Sequence, residues 1–416
     1  MTTLRETQRA RQWTTASRQR LPDVISFLQD LVRIPSVNGR QSEAEVAQRV
    51  ALEARRLGLQ VSLPTSICTL GASSPDRPNV LVEWGTGSAG FVLVGHLDTV
   101  SEGTPAAWVH PPFAAQIENG KMFGRGTADN KAGIACGLYT LAMLRDEQTL
   151  DPRQVRLMLA GVVDEESGAS SKLGMRYLLD QGLLQSARGA IYTYASDIVC
   201  VGHRGLLRFV LRAAGQAVHS GSPQWNRGLG GVNAVTGLSE LLIRLEKLHL
   251  PAPSHPAFKG LSCKLTPGTI IRGGEFESMV PAAAEAMVDV RLMPNQPAED
   301  VITAVQAVIQ LVEQHRPGLK ITLEVKNNLP GVALPINHPL VQTAQRWTKA
   351  VTGRKWRAEG AGPANEGYML IQAGIPTLAG FGPTGGNAHA PDEWVEIESL
   401  VSTMTMYAGI IIDSSI

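Results

Sequence analysis

The spacing of apolar residues divides the chain into alternating helices and strands. Apolar residues recur at helical spacing from Leu21 to Val32, and the pattern ends just before Pro35. Further along, the pattern predicts a helix at 42–57, strands at 79–83 and 90–94, a helix at 131–144 and a strand at 155–163. Because these strands alternate with helices, we expect an α/β fold with a mainly parallel sheet flanked by helices.

The regular alternation of strands and helices stops after Gly205 and resumes at about residue 327. Between these points the apolar periodicity predicts the order β-α-β-β-α-β, which is the ferredoxin-like α+β unit. We therefore expect a small domain at 206–326, inserted into a larger domain made of residues 1–205 and 327–416. A chain of 416 residues is also longer than a single hydrophobic core usually organises, so two domains are expected.

Composition narrows the class of protein. Hydrophobic residues make up 44% of the chain and charged residues 18%, as in an ordinary globular protein. The formal net charge of +1 gives no electrostatic basis for binding nucleic acid or an anionic membrane, so a small substrate is expected. No apolar run approaches the length of a membrane span, and the arginine-rich segment 5–20 is expected to be a solvated helix. The cysteines are far apart, without a Cys-x-x-Cys pair, which favours a reducing cytoplasm over a disulfide framework (Cys68, Cys136, Cys200 and Cys263).

One predicted strand ends in a histidine and an aspartate two residues apart. The stretch "FVLVGHLDTV" at 91–100 places His96 and Asp98 at the carboxyl end of a buried strand, where α/β folds bind their ligands. In an extended chain the two side chains point the same way, so the Asp98 carboxylate is expected to accept a hydrogen bond from one ring nitrogen of His96. The other nitrogen would then be free to bind a metal. An isolated pair of this kind is also compatible with a capped core strand.

Three more segments carry groups of the same chemistry at element ends. "GRGTADNKAG" places Asp129 in a glycine-rich turn before a helix, where it is either an N-cap or a carboxylate that bridges two cations. "LMLAGVVDEESG" ends a buried strand in neighbouring glutamates, of which one can bind metal while the other accepts a proton from water. "NAHAPDEWV" adds His389. Histidines and carboxylates without a thiolate suit paired zinc ions.

The motifs "GHLDTV", "GRGTADNKAG", "DEESG" and "HAPDEWV" resemble, in order and spacing, those of the co-catalytic zinc deacylases and exopeptidases. This family includes acetylornithine deacetylase, succinyl-diaminopimelate desuccinylase, aminoacylase and glutamate carboxypeptidase. The resemblance covers nearly the whole chain, including the inserted domain, which serves the family as a lid and for dimerisation. It implies that His96 binds a first zinc, that Asp129 bridges two ions, that Glu166 and His389 bind the second, and that Glu165 is the general base. Asp98 would orient His96.

The resemblance also assigns roles to residues of the lid and of the specificity region. It implies that His219 in "GQAVHSG" stabilises the oxyanion, often in the active site of the neighbouring subunit, and that Arg291 in "VDVRLMP" binds the substrate carboxylate. Without it, His219 would be an ordinary loop histidine and Arg291 half of a surface ion pair with Asp289. "GPANEGYML" has Asn365-Glu366 where relatives have Thr-Asp, and Asn365 is expected to contact substrate.

One family position differs in its chemistry. In "AIYTYASDIVCVGHRG" the alignment puts Tyr194 where relatives carry the remaining carboxylate ligand of the first zinc. A neutral phenol is a poor zinc ligand. Three alternatives follow: Asp197 reaches the metal, Tyr194 binds as a phenolate, or the first site holds its ion weakly, which we favour.

Taken together, the sequence predicts a cytoplasmic, homodimeric, zinc-dependent amidohydrolase that cleaves an N-acyl amino acid or small peptide with a zinc-activated water. Cobalt or manganese could replace zinc. The alternatives are a dipeptidase or carboxypeptidase with the same mechanism, and a degenerate family member that binds without efficient turnover.

Overall fold

The computed structural model describes residues 4–66, 77–169 and 171–415, and Cys68 lies outside this part of the chain. The helices are α1 Leu4–Arg33, α2 Ala44–Arg56, α3 Ala132–Asp146, α4 Met175–Asp180, α5 Pro223–Asn226, α6 Ala234–Glu246, α7 Ala298–His315, α8 Pro339–Thr352, α9 Gly367–Gln372 and α10 Ile397–Ser415. The strands are β1 Gln60–Ser62, β2 Val80–Trp84, β3 Ala89–His96, β4 Gln116–Glu118, β5 Lys121–Phe123, β6 Val155–Val162, β7 Ala187–Tyr192, β8 Val199–His203, β9 Gly205–Ala214, β10 Lys264–Gly273, β11 Ala283–Leu292, β12 Lys320–Leu329, β13 Val332–Ala333, β14 Ala358–Ala361, β15 Thr377–Leu378, β16 Gly385–Gly386 and β17 Trp394–Glu396. None of the described helices is long and apolar enough to cross a lipid bilayer.

The chain forms two compact units. The first comprises residues 1–202, 333–361 and 365–416, and the second comprises residues 203–332 and 362–364. The first unit is therefore built from segments on both sides of the second, which is a nearly continuous stretch of chain.

A six-stranded sheet is the centre of the first unit, with the strand order β1-β2-β6-β3-β7-β15. Strands β6, β3, β7 and β15 run parallel to one another, whereas β1 and β2 are antiparallel to their neighbours. The predicted α/β class with a mainly parallel sheet is confirmed. Strand β3 is buried along almost its whole length, as its continuous apolar run requires in a sheet covered on both faces.

Helices α3 and α10 pack against this sheet, and α1 lies against both of them. Helix α3 is buried on all sides from Ala132 to Leu144, which agrees with its nearly uniform apolar sequence. The basic N-terminal segment and the apolar segment 21–32 form one helix, α1, with Pro22 inside it. A smaller antiparallel sheet, in the order β16-β17-β5-β4, also belongs to this unit.

The second unit has the predicted ferredoxin-like order of elements, β9-α6-β10-β11-α7-β12. Its sheet is antiparallel throughout, in the order β10-β11-β9-β12, with β10 and β12 at the edges. Alternate residues of the central strands, such as Phe209 of β9 and Val288 of β11, are fully buried in a core with Leu241 of α6 and Val305 of α7. This alternation is the period-2 pattern that the sequence carries.

Candidate metal centre

Neighbouring parallel strands bring the predicted metal ligands together in the first unit. Strand β3 ends at His96, and its neighbour β6 ends at Val162, shortly before Glu165 and Glu166. Because carboxyl ends of parallel strands meet at one edge of a sheet, the two motifs become neighbours although they are about 70 residues apart in sequence. The ligand atoms of His96, Asp129 and Glu166 all lie within 4.8 Å of one another.

His96 is fully buried, and both of its ring nitrogens are engaged. Its Nε2 lies 2.8 Å from Oδ1 of Asp129, and its Nδ1 lies 2.8 Å from the main-chain carbonyl oxygen of Asp98. The Asp98 carboxylate is 3.7 Å from Nδ1, so the carbonyl, and not the predicted carboxylate, accepts the hydrogen bond. The prediction fails because the extended chain ends at His96 and bends at Leu97. The ring is nevertheless held with Nε2 directed at Asp129.

The Asp98 carboxylate does not bind His96 but stabilises the loop that carries Glu165 and Glu166. It accepts the main-chain N–H of Glu165 at 3.2 Å and that of Glu166 at 2.9 Å. The side-chain amide of Asn38 donates to Asp98 at 2.6 Å and to Asp164 at 2.9 Å. Asp164 is also paired with Arg77 at 2.8 Å. Asn38 and Arg77 could not be predicted from the motifs, since both residues lie far from them in the chain.

Asp129 lies between two histidines. Its Oδ1 faces His96, and its Oδ2 lies 3.3 Å from Nε2 of His389. Burial opposes ionisation of this carboxyl group, but hydrogen bonds from His389 and His96 outweigh it and lower the pKa of Asp129 to about 2. A carboxylate that presents one oxygen to each of two histidines has the arrangement of a bridging ligand for two cations.

The turn that carries Asp129 is fixed by a buried carboxylate. Glu393 accepts the main-chain N–H groups of Ala128 and Asp129 at 2.9 Å each. Gly126 adopts φ 85°, a conformation that favours glycine, and starts the turn. At Gly133 a Cβ atom would lie 1.9 Å from the carbonyl oxygen of Thr193, so only glycine lets α3 approach so closely. The glycines of "GRGTADNKAG" are therefore required by the packing of the turn.

Glu166 and His389 complete the cluster. Nε2 of His389 lies 3.1 Å from Oε1 of Glu166, and the His389 side chain is about half exposed. Hydrogen bonds to Asp129 and then to Glu166 raise the pKa of His389 to about 10. Two imidazole nitrogens and several carboxylate oxygens, without a thiolate, form a donor set that suits zinc, so the residues present fit a metal centre.

Glu165 is buried beside the cluster, with 5% of its surface exposed. Burial raises the pKa of Glu165 to about 8, and the neighbouring Glu166 and Asp129 charges add to the rise, while His96 opposes it. The hydroxyl of Tyr194 donates a hydrogen bond to Oε1 of Glu165 at 3.1 Å. Asp197 is exposed and lies outside the cluster formed by His96, Asp129 and Glu166.

The remaining predicted site residues have local contacts of their own. Asn365 is nearly buried, donates to the carbonyl of Ala379 at 2.6 Å and accepts the N–H of Gly367 at 2.9 Å. In the second unit, His219 is exposed and its Nδ1 accepts the N–H of Gly221 at 3.0 Å.

Arg291, also in the second unit, is paired with Asp289 at 2.9 Å. This is the ion pair that the sequence offers as the alternative to substrate binding. Arg208 donates to the same carboxylate at 2.9 Å, so Asp289 joins two arginines on the face of the sheet that carries charged residues.

Glu366 is a buried acid, and its burial could not be predicted from the sequence. It has no exposed surface, and neither carboxylate oxygen has a hydrogen-bond partner among the residues that the structure describes. Burial raises the pKa of Glu366 well above its usual value, and the charges of Glu165 and Asp98 raise it further. The sequence shows only that Asn365-Glu366 stands where relatives have Thr-Asp. This difference does not predict that Glu366 is buried.

Comparison with known proteins agrees with the geometry of the site. Residues 92–413 match the model of peptidase family M20/M25/M40. The acetylornithine deacetylase of Photorhabdus laumondii is 27% identical over 405 residues, covering 94% of this chain and 97% of that protein. The aminopeptidase PepT of Bacillus cereus superposes with a TM-score of 0.75 at 18% identity, covering 95% of this chain and 99% of the other. The Bacillus subtilis protein YXEP, described as a dinuclear metal-binding peptidase, gives a TM-score of 0.71 at 14% identity and covers 95% of this chain and 98% of the other. The family resemblance predicted from the motifs is confirmed, and this chain belongs to the metal-dependent hydrolases of peptidase family M20/M25/M40.

Proposed function

We propose that this chain hydrolyses the amide bond of an N-acyl amino acid or small peptide and releases a free amino acid. The observation that carries the proposal is the buried Glu165, which directly precedes Glu166 and lies beside the cluster of His96 and Asp129. A base next to a metal centre is the arrangement that hydrolysis of an unactivated amide requires. The relative with acetylornithine deacetylase activity supports a deacylase.

The donor set supports two zinc ions, with cobalt or manganese as substitutes. Asp129 would bridge them, since its oxygens face different histidines, and Glu166 with His389 would hold the second ion. When bound, the metal supplies a Lewis acid and lowers the pKa of a water molecule. The likeness to YXEP supports a dinuclear centre, because that protein is described as binding two metals.

The first site is proposed to be the weaker of the two. It would use His96 and Asp129, and Tyr194 occupies the position at which relatives carry a further carboxylate. Replacing Tyr194 by Glu should raise the zinc content, measured by elemental analysis, from about one to about two ions per chain, because a carboxylate is a much better ligand than a neutral phenol. Two firmly held ions in the unchanged protein, with no gain in the variant, would contradict this assignment.

Four side chains of the chain would act on the substrate. Glu165 would take a proton from the attacking water and pass it to the leaving amine. His219, supplied by a neighbouring subunit, would stabilise the oxyanion, a contact worth about 3–4 kcal/mol. Arg291 would bind the substrate carboxylate, and Asn365 would contact the substrate.

The test is release of free amine from a panel of N-acyl amino acids, dipeptides and tripeptides, with and without added zinc. Turnover of the acyl compounds alone would support a deacylase. Preferential turnover of peptides would support the second candidate, a dipeptidase or carboxypeptidase. Absence of turnover with both metal sites loaded would support a degenerate family member and contradict the proposal.

A homodimer formed through the domain at 206–326 is part of the proposal, because His219 would act across the interface. Light scattering should give twice the mass of one chain, 44.5 kDa. A fully active monomer would contradict the shared site. The cytoplasm is the proposed location, which the unpaired, buried thiols of Cys136 and Cys200 support.

A further inference from the structure

Tyr194 lies just after the end of strand β7, and ring contacts hold its side chain in place. Its ring stacks on that of Tyr192 with centroids 5.0 Å apart and an interplanar angle of 17°. On another side it contacts the His96 ring, with centroids 5.6 Å apart. Offset stacks of this kind restrict the ring to one orientation, so the position of its hydroxyl oxygen is well defined.

The hydroxyl of Tyr194 lies 3.1 Å from Oε1 of Glu165. A general base acts in its ionised form, which can only accept, so the phenol is the donor in this hydrogen bond. A tyrosine that binds a metal as phenolate has lost the proton that this bond needs.

Glu165 is held at two points. Its main-chain N–H donates to Oδ1 of Asp98 at 3.2 Å, which fixes the backbone. Within the described residues, Tyr194 supplies the side-chain hydrogen bond to the Glu165 carboxylate. This bond occupies Oε1, so Oε2 is the oxygen that remains to accept a proton.

We propose that Tyr194 is a positioning residue for Glu165, which fixes Oε1 of the base and leaves Oε2 to take the proton from water. In that step a water O–H bond breaks and an Oε2–H bond forms, while Tyr194 keeps its own proton. The inference rests on the proposed function of Glu165. It assigns a role outside the metal centre to the position at which relatives carry a ligand.

The test compares Tyr194→Phe, which keeps the ring and removes the hydroxyl, with the control Tyr192→Phe. The Tyr192 hydroxyl has no hydrogen-bond partner among the described residues, so its removal tests only the loss of a buried oxygen. In the full-length, zinc-loaded protein, Tyr194→Phe should lower kcat about 10-fold or more, because a hydrogen bond to a charged group is stronger than one between neutral groups. KM and zinc content should stay unchanged, and Tyr192→Phe should change none of these quantities.

A second measurement does not depend on turnover. Thermal unfolding of Tyr194→Phe, Glu165→Ala and the double variant should be non-additive, because each single variant removes the same hydrogen bond. Loss of zinc in Tyr194→Phe, or a tyrosinate absorption band on zinc addition that this variant lacks, would show that Tyr194 is a ligand and overturn the inference. Additive unfolding effects would overturn it as well. If no substrate is hydrolysed but the unfolding effects are non-additive, the proposed function is contradicted. The hydrogen bond between Tyr194 and Glu165 is then still confirmed.

Discussion

The carboxylate of Asp98 and the main-chain nitrogen of Glu166 lie 2.9 Å apart. Through this hydrogen bond, a residue that follows β3 fixes the backbone of a candidate metal ligand that follows β6, the neighbouring strand of the sheet. The same carboxylate accepts the amide of Asn38, which also donates to Asp164. The position of this candidate ligand therefore depends on a small hydrogen-bond network of residues outside the cluster of His96, Asp129 and Glu166.

Replacing Asn38 by Leu should weaken zinc binding about 10- to 100-fold, the usual effect of losing a partner that orients metal ligands. The change removes both amide hydrogen bonds and leaves the Asp98 and Asp164 carboxylates without the donor that they share. Competition with a chelator measures the affinity. Gln48→Leu, on the exposed side of α2, is the control and should leave it unchanged. Equal zinc affinity in both variants would show that Asn38 does not hold the site.

Replacing Glu165 by Ala should lower kcat at least ~100-fold, since general-base catalysis contributes about 10²–10⁴. The fold and the bound metal should be retained, because the placement of the loop depends on the main-chain N–H of Glu165 and not on its side chain. Steady-state kinetics and elemental analysis on the same preparation check both points. Near-normal turnover would remove Glu165 from the role of base.

The two histidines His389 and His219 should respond differently to replacement by Ala. His389→Ala removes a nitrogen that faces both Asp129 and Glu166, so zinc content and activity should fall together. His219→Ala should lower kcat about 100-fold with zinc content unchanged, because its proposed contact is with the oxyanion. Zinc analysis and kinetics of both variants decide the assignment. A loss of zinc from His219→Ala would count against it.

Replacing Glu366 by Gln should stabilise the metal-free protein at about pH 8 and much less at about pH 5. The pKa of Glu366 is raised in the folded state, so the folded protein binds more protons than the unfolded chain above the usual pKa of 4.5. Stability is therefore lost as pH rises from that value toward the folded pKa, and glutamine, which cannot ionise, removes this loss. Thermal unfolding at both pH values measures it. The exposed Glu45→Gln is the control, and an equal gain at both pH values would contradict the argument.

The sequence predicted those features that depend on local pattern. The apolar run before His96 predicted β3, and the period-2 alternation in β9 and β11 predicted the ferredoxin-like sheet, because burial acts on each strand separately. The motifs also predicted a set of side chains that lie close enough together to bind a metal. His96, Asp129 and Glu166 do come together, since the ends of β3 and β6 are neighbours.

Contacts that depend on how the chain bends between elements were not predictable. The bend at Leu97 turns the carboxylate of Asp98 away from His96 and toward the loop of Glu165, which no i, i+2 argument anticipates. The burial of Glu366 depends on packing at the start of α9, and the sequence carries no trace of it. The hydrogen bond from Tyr194 to Glu165 likewise joins segments that are 29 residues apart.

The discontinuity of the first unit has a consequence for its biosynthesis. The ribosome produces β3, β6 and β7 before residues 203–332, and it produces β15 and α10 only afterwards. Because domains fold as units when their sequence becomes available, the second unit can fold while the first still lacks its last parallel strand and the helix that packs on its sheet. We expect the apolar surface that α10 later covers to be exposed during this interval, so that the nascent chain is prone to aggregation until α10 has been translated.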